Sequence, residues 1–351
     1  MKTKITVLLI GLSQFLFGQK TSPDRPELII DPNPFQDEYF KDHYNYTKTK
    51  EIIGINKKTS NNFQGDTMFK NYYRKDGQML KKVRYSANVP KIIRSYKYDS
   101  DGILKSWVHE SKGSKLRAKY YYDSIARFSR ITQYNIRKRK GVLDSNLQSD
   151  ARYFYQNNRI SAIESFNGIK DIYSYKNQKL VEKTGAYIAK TFDYNNQGHL
   201  IEIREYMGGK VDAQKLMGIK KFYYNSQNQL ICDSILTSAN FESNTYQITH
   251  YEYDINDKLS RMEVKFGASF CKVNFEYQNN RISNCELLTN DINRKVAYLR
   301  FPIPSGIPYN KAGLVKYREV FSYDENGNKT GKEVFVDDAL FFELEYLLIP
   351  F

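Results

Sequence analysis

The chain of 351 residues carries 40% hydrophobic and 26% charged residues, which supplies enough apolar side chains for a core and excludes a wholly disordered protein. It holds 30 tyrosines, 21 phenylalanines and one tryptophan, and aromatic residues favour β-strands over helices. The formal net charge of +15 indicates an anionic partner, such as an acidic glycan, an anionic membrane surface or nucleic acid, or simply a soluble surface.

The first 19 residues predict export. Lys2 and Lys4 precede a mostly apolar run from Ile5 to Leu16, which is shorter than the ~20 residues of a membrane-spanning helix. The sequence Phe17-Gly18-Gln19 resembles the end of signal peptides in secreted Bacteroidetes proteins. We therefore expect residues 1–19 to be a cleaved secretory signal, and the mature protein to be secreted, periplasmic or on the cell surface. No transmembrane span is expected in the mature chain, and nucleic acid is not an expected partner.

Residues 20–50 form a separate N-terminal arm in this interpretation. Acidic residues outnumber basic ones there, and four prolines interrupt regular structure: Pro23, Pro26, Pro32 and Pro34. The arm is expected to be a linker or a strand laid along a sheet edge. Residues 51–351 are then predicted to form one repeat domain.

Between residues 65 and 340 one phrase recurs: an aromatic residue, a variable residue, Tyr, a polar residue, a short turn and an apolar residue. The segment from Tyr96 to Leu104 is the clearest copy, and the copies at Tyr155, Tyr175 and Tyr277 are one residue shorter in the turn. The second Tyr of the ten copies is Tyr73, Tyr98, Tyr122, Tyr155, Tyr175, Tyr194, Tyr224, Tyr253, Tyr277 and Tyr323. Tyr309 to Gly313 is a candidate for an eleventh turn.

The phrase predicts a β-hairpin. Two rings at positions i and i+2 lie on one face of a strand, and the residue between them is often polar. Asp or Asn followed by Gly or Asn favours a tight turn, and the apolar residue begins the return strand. Turns are predicted at five places: 99–102, 195–198, 225–228, 254–257 and 324–327.

We therefore expect an all-β protein in which tandem antiparallel β-hairpins form one continuous twisted or curled sheet. Neighbouring hairpins are expected to pair in sequence order. The second Tyr of each copy is expected to lie on one common face of the sheet and to pack against the next copy.

The phrase resembles the YD (tyrosine–aspartate) repeat of RHS and teneurin-like proteins, and Tyr98-Asp99, Tyr253-Asp254 and Tyr323-Asp324 carry this resemblance. The segment from Tyr73 to Lys81 is also similar to variant MORN-like repeats. In large RHS proteins the repeats form a shell around a C-terminal toxin. Only about 24 residues follow Gly327 here, so the resemblance implies the repeat architecture and not the enclosed toxin.

The strongest charge feature is the segment 112–140, where ten basic residues accompany one acid. Arg137, Lys138, Arg139 and Lys140 are followed by Gly141 and predict a basic loop tip. Such a loop suits phosphate or acidic polysaccharide. The alternative is a solvated loop whose charges prevent strand aggregation.

No motif predicts catalysis, a metal site or a cofactor. The four histidines are scattered without ligand spacing: His43, His109, His199 and His250. The segments 99–102 and 324–328 resemble calcium loops but lack the third acidic ligand, so a hairpin turn is favoured. The three cysteines are Cys232, Cys271 and Cys285, of which the last two flank one predicted hairpin and either approach each other or stay as buried free thiols.

These observations favour an exported, non-catalytic binding or scaffolding protein whose partner is an extracellular glycan or protein. Two alternatives remain from the sequence. One is an enzyme that acts on extracellular polysaccharide with acids contributed by several repeats. The other, based on the resemblance alone, is an accessory protein of a secreted toxin system.

Overall fold

The computed structural model describes residues 49–59, 65–139, 142–237, 246–290 and 313–351. The predicted signal at 1–19, almost all of the predicted arm and most of the candidate eleventh turn therefore lie outside the described residues. Within the described ranges the chain forms 22 β-strands and one short 3₁₀ helix at Ala213–Lys215. The all-β prediction is confirmed.

The strands are β1 (Thr49–Thr59), β2 (Thr67–Tyr73), β3 (Met79–Ser86), β4 (Val89–Tyr98), β5 (Leu104–Ser111), β6 (Ser114–Tyr122), β7 (Phe128–Arg139), β8 (Val142–Gln156), β9 (Arg159–Ser165), β10 (Lys170–Lys176), β11 (Lys179–Thr184), β12 (Ile188–Tyr194), β13 (Leu200–Met207), β14 (Leu216–Tyr224), β15 (Leu230–Thr237), β16 (Gln247–Tyr253), β17 (Leu259–Phe266), β18 (Ser269–Gln278), β19 (Arg281–Thr289), β20 (Val315–Tyr323), β21 (Lys329–Val336) and β22 (Ala339–Pro350).

The strands form one closed antiparallel sheet. Each strand pairs with the next in sequence, and β1 also pairs with β22, with Thr49 opposite Pro350 and Thr59 opposite Phe342. The predicted continuous sheet with hairpins paired in sequence order is confirmed. The expectation of a merely twisted or curled sheet is corrected, because the sheet closes on itself. The two closing strands lie outside the repeated phrase, so the repeat could not reveal this seam.

The ten repeat copies form the ten turns of one rim, here called the turn rim. Each copy ends an even-numbered strand and begins the next odd-numbered strand, and all five predicted turn positions are confirmed by a backbone hydrogen bond that closes the turn. In the clearest copy Gly102 N donates to Asp99 O at 3.2 Å, and Ile103 N donates to the Asp99 carboxylate at 2.8 Å. Gly102 has φ +78°, which explains the glycine.

The three shorter copies use two-residue turns in which both residues have positive φ. Asn279 and Asn280 have φ 51° and 64°, and the turns at Asn157–Asn158 and Asn177–Gln178 are alike. This is the geometry of a type I′ hairpin turn, which Asn tolerates better than most residues.

The opposite rim, here called the loop rim, holds the connections from odd-numbered to even-numbered strands. Several of these connections are longer, including 208–215, 238–246 and 290–314. Because β1 begins and β22 ends at the turn rim, the loop rim carries neither end of the closed sheet.

The repeated rings lie on the inner face of the sheet. Val273, Leu287 and Val315, on the same face, are at most 1% exposed, and the outer face of a single sheet could not be covered so completely. On the opposite face Phe154 and Tyr223 are 40% and 48% exposed. The apolar core cluster therefore lies on the inner face of the ring and extends from β9 to β21.

The repeated tyrosines also make one recurrent hydrogen bond. In eight copies the hydroxyl donates to the carbonyl of the first apolar residue of the preceding odd-numbered strand, at 2.7–2.9 Å. Tyr253, for example, donates to Leu230 O. The expected packing on one face is found, but the hydroxyl reaches the preceding copy and not the next one, because the preceding return strand begins at the same rim.

Candidate functional site

The four residues of the predicted basic loop lie at the end of the longest hairpin. Arg137 and Arg139 belong to β7 and pair with Asp144 and Val142 of β8, so residues 137–139 form a strand end, and Lys140 lies outside the described residues. Strands β7 and β8 have 12 and 15 residues. The end that carries Arg137, Lys138, Arg139 and Lys140 is called the basic hairpin below.

The basic hairpin extends beyond its neighbours at the loop rim. Strand β6 follows β7 only as far as Ile136, and β9 pairs with β8 only over Ala151–Gln156. Arg137 is exposed. The structure therefore presents the start of this cationic segment to solvent.

The positive charge of the whole chain is concentrated in one part of the ring. Residues 67–140, which contain β2 to β7, hold 20 of the 54 lysines and arginines but only five of the 39 acids. Their formal net charge is therefore +15, which equals that of the entire chain. Basic and acidic residues are equal in number over the remainder of the chain. We call strands β2 to β7, with the turns between them, the cationic wall. The basic hairpin begins at the end of its last strand, β7.

A recess opens on the cationic wall between β5 and β6, below the adjacent turns 99–102 and 123–126. Its volume is about 680 Å³. Its lining includes three carboxylates of the turns and three cations, together with Ser106, Tyr121 and Ser124: Asp99, Asp101, Asp123, Lys105, Arg117 and Lys119. Arg117 and Lys119 are among the ten basic residues of the segment 112–140. The sequence did not predict that they line a recess, because the alternation of inward and outward side chains does not show where a gap opens between two turns.

Arg117 and Lys119 differ from the neighbouring cations of the wall. Lys115 pairs with Glu110 at 2.5 Å, whereas neither Arg117 nor Lys119 has an ion pair with any described residue. Lys119 Nζ instead lies 5.9 Å from the ring centroid of Tyr134. The Nε of Arg117 is buried and has no hydrogen-bond partner within the part of the chain that the structure describes.

Two of the acids of the neighbouring turns, Asp99 and Asp123, accept backbone hydrogen bonds within their own turns, whereas Asp101 is exposed. Asp99 accepts backbone hydrogen bonds from Asp101 and Ile103, and its carboxylate lies 2.9 Å from Lys105 Nζ. The Lys105 ammonium holds the pKa of Asp99 below its usual value. The calcium-like segment 99–102 thus forms a hairpin turn, as predicted.

Cys232 of β15 stands directly opposite His250 of β16, and His43 lies outside the described residues. Cys271 stands opposite Thr289 and Cys285 opposite Phe275, so the two thiols are offset along the β18–β19 pair, and both are buried without forming a disulfide bond. Burial raises the pKa of Cys285 well above its usual value. Over the described ranges, no group of three or more His, Cys, Asp or Glu side chains is arranged to hold a metal ion.

No helix of the described residues is both long enough and apolar enough to cross a membrane. No protein-family model matches the sequence. The search of curated proteins likewise found no match.

Several solved structures are similar to the chain. A porin-like protein from Bacteroides uniformis is 10% identical with a TM-score of 0.32, over 74% of this chain and 96% of that one. A porin-like protein from Bacteroides vulgatus is 10% identical with a TM-score of 0.24, over 86% and 99%. The TcdB2-TccC3-Cdc42 structure is 12% identical with a TM-score of 0.31, over 80% of this chain and 20% of that one. At these TM-scores the similarities carry no argument about what the chain does.

Proposed function

We propose that the protein is an exported, non-catalytic binding protein and that its ligand is an acidic extracellular glycan. The observation that carries this proposal is the cationic wall, since residues 67–140, which contain its six consecutive strands and their turns, hold a net charge equal to that of the whole chain. A charge asymmetry of this size creates a positive potential over one side of the molecule and attracts polyanions.

The fold suits a binding scaffold. The closed sheet leaves no free edge at β1 or β22, and the tyrosine hydrogen bonds join eight of the ten repeat copies to the copy before them. A surface held in this way loses little conformational entropy when it binds a ligand. A long polymer can contact several strands at once, which increases its overall affinity.

The basic hairpin extends the same positive surface beyond the loop rim. Arg137 is exposed there, and an Arg guanidinium donates two parallel hydrogen bonds to a carboxylate or sulfate. The hairpin is therefore proposed as the part of the wall that meets an acidic polymer first.

The test measures binding of a sulfated and a uronic-acid polysaccharide to the protein without residues 1–19, with a neutral polysaccharide for comparison. One variant replaces Arg137, Lys138, Arg139 and Lys140 by Gln. The matched control replaces four exposed cations outside the wall by Gln: Arg152, Lys176, Lys210 and Lys221.

We expect both acidic polymers to bind, with affinity that falls steeply as salt is added. The hairpin variant should bind about tenfold more weakly, as expected for lost charge-assisted contacts, and the control should bind as the unchanged protein does. Equal binding of the neutral polymer, or no binding of either acidic polymer, would contradict the proposal. Release of small sugars from the polymer would instead support the alternative of a polysaccharide-active enzyme.

A further inference from the structure

We propose that the recess between β5 and β6 is a subsite for one acidic sugar unit of the glycan. The sugar's carboxylate or sulfate would lie against Arg117 and Lys119, and its ring against Tyr121. This inference rests on the proposed function and adds to it a defined position and a defined chemical class of ligand.

A comparison with one other copy shows that the cation in the recess lacks the acidic partner that the equivalent lysine has there. Lys119 and Lys221 occupy the same repeat position, three residues before the repeated tyrosine. Lys221 stands opposite Glu202, and its Nζ lies 3.7 Å from a Glu202 carboxylate oxygen. Lys119 stands opposite Ser106. The acid of the other hairpin is thus replaced by a small hydroxyl residue, and the charge of Lys119 is left for an external anion.

Arg117 supplies the second cation. It stands two residues before Lys119 on the same face of β6. A buried Arg donor without an acceptor is costly, and its Nε is such a donor. An anionic oxygen in the recess would satisfy it. The planar guanidinium matches the geometry of a carboxylate or a sulfate.

Tyr121 and the serines favour a sugar over a bare anion. Tyr121 is 40% exposed and follows Lys119 on the outer face, so its ring offers a rigid apolar surface. Ser106 and Ser124 line the same recess and can exchange hydrogen bonds with sugar hydroxyls.

The test titrates the protein with a short sulfated oligosaccharide, a short uronic-acid oligosaccharide, their neutral counterpart and inorganic sulfate. The test variants are Lys119→Gln and Tyr121→Ala. The matched controls are Lys221→Gln and Tyr223→Ala, which change the same repeat positions on another part of the ring; Tyr223 is 48% exposed.

We expect each test variant to bind the acidic oligosaccharides about tenfold more weakly, whereas the controls bind as the unchanged protein does. Unchanged binding by both test variants, or equal weakening by the controls, would overturn the inference. Inorganic sulfate that competes as well as the sulfated oligosaccharide would also overturn it, since the site would then recognise only an anion.

The two proposals fail in different ways. If the unchanged protein binds no acidic glycan, the proposed function is wrong. If it binds and the basic-hairpin variant weakens binding while Lys119→Gln and Tyr121→Ala do not, only the subsite is wrong. Thermal unfolding of each variant separates lost binding from lost folding, and Lys119 and Tyr121 are exposed enough to be replaced without opening the core.

Discussion

At the level of the single residue, the repeated tyrosine combines an inward-facing ring with a hydroxyl that contacts the preceding copy. The sequence predicted the ring's face from its spacing. It did not predict the hydrogen bond, because the acceptor is a backbone carbonyl, such as that of Leu230 for Tyr253, and no side-chain pattern specifies a carbonyl. The unpaired Lys119 was also missed, since the missing acid becomes visible only through the register with Ser106.

Tyr253 gives a direct test of the two roles. Tyr253→Phe removes only the hydroxyl and should cost about 1 kcal/mol in the free energy of unfolding. Tyr253→Ala also removes the ring and should cost on the order of 3 kcal/mol. The measurement is chemical denaturation, with Tyr223→Phe on the exposed face as a control that should not change stability. A Tyr253→Ala protein that unfolds like the original would show that the ring is not part of the core.

The same tyrosines predict how stability depends on pH. Burial raises the pKa of Tyr155, Tyr253 and Tyr323 to about 12, from an ordinary value of 10.0. The folded state therefore favours the protonated phenol. This stabilisation is complete below pH 10.0 and is lost as the pH rises towards 12.

We expect the melting temperature to fall over that interval, together with the appearance of tyrosinate absorbance. Tyr253→Phe removes one of the repeated tyrosine hydroxyls, so the melting temperature of this variant should fall less steeply with pH. A melting temperature that is constant over the interval would contradict this linkage.

At the level of the element, the hairpin turns were predictable because turn chemistry is local. Asp99 to Gly102 and the other four predicted turns depend on residues a few positions apart. The length of the β7–β8 hairpin and the pairing of β1 with β22 were not predictable. Both depend on which strands meet, and the repeated phrase contains no information about strands outside it.

Asn280 tests the two-residue turns. Its φ is 64°, so Asn280→Gly should stabilise the protein by about 0.5 kcal/mol, and Asn280→Val should destabilise it by about 1–2 kcal/mol. Asn256 lies in a longer turn and is not among the residues with positive φ. Asn256→Gly should therefore leave the melting temperature unchanged or lower it. A rise for both glycine variants would indicate that turn geometry is not the cause.

At the level of the whole molecule, the sheet is closed into a ring and its positive charge is concentrated on one part of that ring. The ring is completed by β22, while the cationic wall lies on the opposite side of β1 in the strand order. The sequence alone showed the excess of positive charge but not that six consecutive strands hold it.

Shortening the chain to end at Val336 removes β22 and opens the ring. The free edges of β1 and β21 should then pair with other molecules, so we expect association and loss of the single cooperative unfolding transition. Light scattering and thermal unfolding measure these effects. Removal of Phe351 alone, which follows β22, is the control and should change neither. A shortened chain that unfolds like the original would show that closure adds no stability.

The seam between β1 and β22 also sets an order of assembly. Its two strands lie about 300 residues apart in sequence, the largest separation between paired strands in the described structure. Contacts of such separation form late, because the intervening chain must be arranged first. During synthesis the hairpins can therefore pair one after another, while the outer edge of β1 stays open until β22 has been made. The period of greatest exposure to aggregation thus ends with the last strand of the ring.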